Sequence, residues 1–174
     1  MCLIRKEGYE FGVVKDKPIE AYKVLIERDG VLTSPVMEFK YEIGKIYEDM
    51  LGAISTRTFR RIPMSTAVGE FPVYDRGFHT ISTIDGAILY SNFIKKYVEL
   101  QDDARFRTSP TFLVIVKCLV PPVNDNFSTI YATGEDSDYS IPGIVSNRMQ
   151  IVEIVSKTPI ESRRKAPNLK PFES

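Results

Sequence analysis

Apolar positions in this chain follow a two-residue period in most places and a helical period in one. Residues 21–28 alternate irregularly and end in the turn pair Asp29-Gly30, which predicts a strand running into a tight turn. After Ser34-Pro35, residues 36–43 put Phe39, Tyr41 and Ile43 on one face and Glu38, Lys40 and Glu42 on the other. That is the pattern of a half-buried strand, broken at Gly44. Residues 111–120 are apolar on both faces, so they are expected in the middle of a sheet. Further strands are expected at 128–133 and 149–155, with an acidic turn at 134–138 between them. From Ile84 the period changes. Ile84, Ala87, Ile88, Ser91, Ile94 and Val98 form one stripe, widened by Tyr90, Phe93 and Tyr97. Ser82 or Thr83 can cap this helix.

One good helix among many strands predicts an α+β fold, with the helix packed on a curved, mainly antiparallel sheet. A single domain is expected over residues 1–156. From Ser156 onward proline and basic residues dominate, so 157–174 reads as a poorly ordered tail or an arm through which two copies could associate. Residues 50–75 are the least regular. Their basic cluster, Arg57, Arg60 and Arg61, reads as a solvated loop or edge strand, or alternatively as an anion site.

Charge and cysteine content narrow the classes. Lys plus Arg equals Asp plus Glu, so nothing argues for general nucleic-acid binding. No apolar run reaches the length of a membrane helix, and the apolar part of the N-terminus is too short for a signal peptide; a cytoplasmic protein is expected. Cys2 and Cys118 lack a metal spacing, and Cys118 falls within the apolar 111–120 run as a small core residue. With one histidine and two isolated cysteines, no zinc centre is expected, and Glu135, Asp136 and Asp138 read as a plain turn. Phosphate-binding glycine motifs and a nucleophile elbow are absent, so no cofactor is implied by motif.

The local candidates for chemistry are few. His79, the only histidine, lies near the end of a predicted strand just before the helix cap. Such junctions gather free N–H groups and a partial positive charge. Glu153 sits in the last predicted strand. It would form a small polar site with His79 and Tyr22 if all three faced one cleft.

Several elements occur in an order that resembles a group of short bacteriophage and bacterial proteins without an activity to carry over. They are Met1, Cys2, Leu3 and Ile4; then Tyr22, Lys23, Val24 and Leu25; Ser34-Pro35; Gly44, Lys45 and Tyr47; and Gly77, Phe78 and His79 before a helix containing Ala87. A fainter resemblance is to the ADP-ribosyltransferase fold, carried by Gly77, Phe78 and His79, by Ala87 and Tyr90, and by Glu153. It implies NAD as cofactor, Tyr90 stacking on nicotinamide and Glu153 orienting the ribose. The chain departs from that pattern at Tyr22 and Lys23, where a histidine or arginine is expected. Two functions follow as expectations. The first is an accessory protein that binds a host protein or a small ligand, through Tyr22, His79 and Tyr90, without catalysis. The second is an ADP-ribosyltransferase-like enzyme or a nucleotide-binding relative of one.

Overall fold

The computed structural model describes residues 3–4, 8, 10–35, 39–49, 56–60, 70–74, 76–100, 109–122, 128–136 and 139–161. In chain order the strands are β1 (Leu3–Ile4), β2 (Phe11–Val13), β3 (Ile19–Arg28), β4 (Val31–Thr33), β5 (Lys40–Tyr41), β6 (Ile46–Glu48), β7 (Thr56–Arg60), β8 (Glu70–Tyr74) and β9 (Phe78–Ile81). Helix α1 (Ile84–Leu100) follows, then β10 (Thr111–Val120), β11 (Ile130–Asp136), β12 (Pro142–Ser146) and β13 (Arg148–Pro159). The strands pair antiparallel along the path β6-β13-β10-β3-β9-β12-β11-β1-β8-β7, with β2 added to β11 and the β4–β5 hairpin added to β3. The architecture is α+β but dominated by its sheet.

β10 lies between β3 and β13, as a strand apolar on both faces should. One face carries Leu113 and Ile115 and is covered by α1. The other carries Val114, Val116 and Cys118. Thr83 caps the helix: its Oγ1 accepts the Gly86 N–H at 3.1 Å. Ala87, Tyr90, Ile94 and Val98 are the buried helix positions. Burying side chains such as Ile94 and Val98 contributes about 1.5–3 kcal/mol each. The expected stripe is therefore rotated. Ile88 is 46% exposed and Tyr97 57%, whereas Tyr90 packs in the core beside Ile94.

The opposite face curls on itself. β5 hangs from β3 through β4, and β6 is the far end of the path, yet Tyr41 and Tyr47 meet with ring centroids 5.2 Å apart. A backbone bond from Gly44 N–H to Ile151 O, 2.7 Å, ties the β5–β6 turn to β13. The enclosed cluster contains Leu25, Leu32, Tyr41, Tyr47, Val114, Val116, Met149 and Ile151. Residues 36–38 of the expected strand at 36–43 lie outside the described residues; within 39–43 the strand is Lys40–Tyr41, and the curl turns Tyr41 inward while Phe39 and Ile43 stay about half exposed.

Three other expectations change. β12 was not expected. Gly143 has no room for a side chain, because a Cβ would lie 2.6 Å from Leu3 Cδ2 and 2.7 Å from Thr80 O. Of the expected acidic turn at 134–138, Gly134, Glu135 and Asp136 belong to β11, and residues 137–138 lie outside the described residues; Asp136 is buried and its Oδ1 accepts the Tyr139 N–H at 3.1 Å. β13 also outruns residue 156. Lys157, Thr158 and Pro159 pair with Val114, Leu113 and Phe112, and Ile160 packs against the helix-side core. Residues 162–174 lie outside the described residues.

Candidate functional site

β3 is where the sheet forks. Its C-terminal half pairs with β4, from Ile26↔Thr33 to Arg28↔Val31, while nearer its start Tyr22 pairs with Ile81 of β9. Between these two pairings the neighbouring strands part. Lys23 stands at the fork, and its Nζ donates to the backbone carbonyl of His79 at 2.7 Å. The same nitrogen lies 5.6 Å from the centre of the Tyr41 ring. Part of the Lys23 side chain reaches the surface, but its amine end is crowded by protein, and that crowding governs the charge. Burial holds the Lys23 amine below the ordinary lysine range, only partly offset by the nearby Cys118.

Cys118 and Tyr41 share this interior. Burial pushes the Cys118 thiol up to about 12, with Lys23 pulling the other way. Tyr41 is also raised to about 12, by burial first and then by Cys118 and Tyr47. Both groups are neutral at ordinary pH, so Cys118 is a small core residue and not an activated nucleophile.

A cavity of about 350 Å³ opens at the end of the curl, lined by Glu27, Gly30, Leu32, Tyr41, Glu42, Ile43 and Ile154. Leu32 and Tyr41 are buried and form its apolar floor; Ile43 and Ile154 are half-open walls. Glu27 is well covered, with 14% of its side chain exposed, and Lys157 Nζ lies 2.8 Å from its Oε1. Lys157 is itself held 4.2 Å above the centre of the Phe112 ring. Glu42 is open to solvent and pairs with Lys45 at 3.0 Å, an exposed contact of little energetic weight.

The residues expected to carry function are distributed as follows. Tyr22 faces the helix side, at the edge of the core cluster that buries Tyr90. Strand alternation puts His79 on the same side as Ile81, opposite Phe78, which packs on the curled face. His79 is half-buried. Glu153 is exposed on β13 and pairs in register with Lys117, which in turn pairs with Tyr22. A row Tyr22–Lys117–Glu153 thus crosses three strands. Lys117 forms an ion pair with Glu20, and Glu20 and then Glu153 raise its pKa above the ordinary value. Tyr90, by contrast, projects from α1 into the core, with 9% of its surface exposed. Arg57 and Arg60 belong to β7; their side chains, and Arg61 altogether, lie outside the described residues. Among the described residues no group of acids, cysteines and histidine is placed to hold a metal, and no helix is long and apolar enough to cross a membrane.

The cavity was not legible in the sequence. Its seven residues come from β3, the turns around Gly30 and Glu42, β4, β5 and β13, and only the pairing register joins them. Lys23 did leave a signal. In β3 both the odd positions Ala21 and Leu25 and the even positions Val24 and Ile26 are apolar, so a lysine between them falls in a strand buried on both faces. No protein-family profile, curated protein or solved structure matches the chain.

Proposed function

We propose that the chain is a small phage or bacterial accessory protein that acts by binding, without catalysis, and that a small ligand enters the open end of the curled sheet. The cavity carries this reading. It has the size of the smaller ligand pockets, an aliphatic and aromatic floor, and a few polar groups at its wall. A thermal-shift screen of the full chain against a library of small metabolites and nucleotides tests it, since a ligand specific for the folded state raises the melting temperature. Ile154→Trp, which fills the mouth, should abolish any shift found. A hit whose shift survives that change would move the site elsewhere.

One observation supports the second reading, an ADP-ribosyltransferase-like protein that uses NAD. Tyr22 and Glu153 stand on either side of Lys117 in one row. Under that reading NAD stabilises the wild type and Glu153→Gln removes the effect. Lack of any stabilisation by NAD counts against it.

A further inference from the structure

We infer that the cavity at the end of the curled sheet takes a small organic cation, an ammonium group on an apolar body. This rests on the binding reading above and adds the ligand's class. The charged residues in the cavity lining are Glu27 and Glu42, both carboxylates. Every other lining side chain is aliphatic except Tyr41. An ionised carboxylate only accepts hydrogen bonds, so it suits a ligand that donates them and repels one that carries negative charge.

The two glutamates differ in weight. Glu42 is solvated, so its field is screened by water and salt. Glu27 is mostly covered, and a charge-assisted hydrogen bond is stronger where water is excluded. Its ion pair in the structure is with Lys157, through Oε1. Lys157 does not line the cavity; it arrives from β13 and rests on Phe112. A ligand ammonium at the wall would therefore share Glu27 with Lys157, while its apolar body covers Leu32, Ile43 and Ile154. Tyr41, held neutral by burial, adds an aromatic surface to the floor.

Isothermal titration of the full chain with three probes of one shape tests this: phenylpropylammonium, phenylpropanol and phenylpropanoate. The ammonium should bind best and the carboxylate worst, with a preference that shrinks as salt is raised. Glu27→Gln should weaken ammonium binding about tenfold, the loss of one charge-assisted bond, and leave the alcohol unchanged. Lys157→Met, which frees Glu27 of its ion pair, should tighten it. Ile154→Trp should abolish binding of all three. Equal binding of the three probes, or preference for the carboxylate, overturns the cation assignment and leaves the binding reading intact, provided that Ile154→Trp abolishes the heats. Absence of heat from all three, together with a blank library screen, overturns both.

Discussion

Alkaline pH should draw stability from this protein through Cys118, and the size of that contribution can be worked out. The side chain is fully buried, between Val116 and Val120 in β10. Its thiol is raised from 9.0 in the open chain to about 12 in the folded state. A group whose folded pKa is raised gives its full stabilisation below the unfolded value and loses it as pH rises toward the folded one. Between about pH 8 and about pH 11 the unfolded chain ionises at this site and the folded chain does not, which costs about 2–3 kcal/mol. For a chain of this length that is a fall in melting temperature of roughly 5–10 °C. Cys118→Ala removes the titration and leaves a small cavity whose cost is the same at every pH, so it cancels in the comparison. Tyr41, raised by burial, and Lys23, lowered by it, also contribute to the pH dependence, but they remain in both proteins, so the difference between wild type and variant isolates the thiol, apart from coupling between neighbours. Urea unfolding under reducing conditions at both pH values is the assay. The variant should gain on the wild type by about 2–3 kcal/mol as pH rises. Parallel decline of the two would refute the burial of Cys118 as a neutral thiol.

Four further changes probe other parts. Lys23 has a lowered pKa in the folded state, so stability from this group rises with pH in the window between that lowered value and 10.5; Lys23→Met should lose this rise, as pH-dependent calorimetry would show. Gly143→Ala places a methyl against Leu3 and the Thr80 carbonyl, and overpacking of this kind costs about 1–3 kcal/mol, read as a lower melting temperature. Adding Leu3→Ala should not restore it, because the backbone carbonyl remains. Thr83→Ala removes the acceptor for Gly86 N–H and should cost about 1 kcal/mol in denaturant unfolding. Truncation after Ser156 should lower the melting temperature by more than a few degrees, since it deletes the pairing of residues 157–159 with β10 and the packing of Ile160. An unchanged value would show that this end of β13 adds nothing to the folded state.

Local sequence determined the elements whose evidence is contained within one segment. A ten-residue run apolar on both faces could only be buried in a sheet, and β10 is the strand between β3 and β13. The change to a helical period after Thr83 set the start of α1, because the hydroxyl needed to cap it stands at that boundary. Burial that depends on distant partners was decided by the tertiary structure alone. Tyr41 and Phe39 lie on the same side of an alternating segment, but the curl buries the first with Leu32 and Tyr47 and leaves the second half exposed, although its ring also meets Tyr47 at 5.8 Å. Ile88 fits the helical stripe as well as Tyr90 does, and the shape of the sheet beneath chose the tyrosine. β12 carries little pattern of its own and exists because β9 and β11 each pair with it. The cavity is the clearest case: Glu27 and Ile154 are 127 positions apart in the chain, and they share a wall because β10 pairs with β3 on one side and β13 on the other. Alternation records which way a side chain points, whereas register and curvature record what it meets, and a binding site is made of the second.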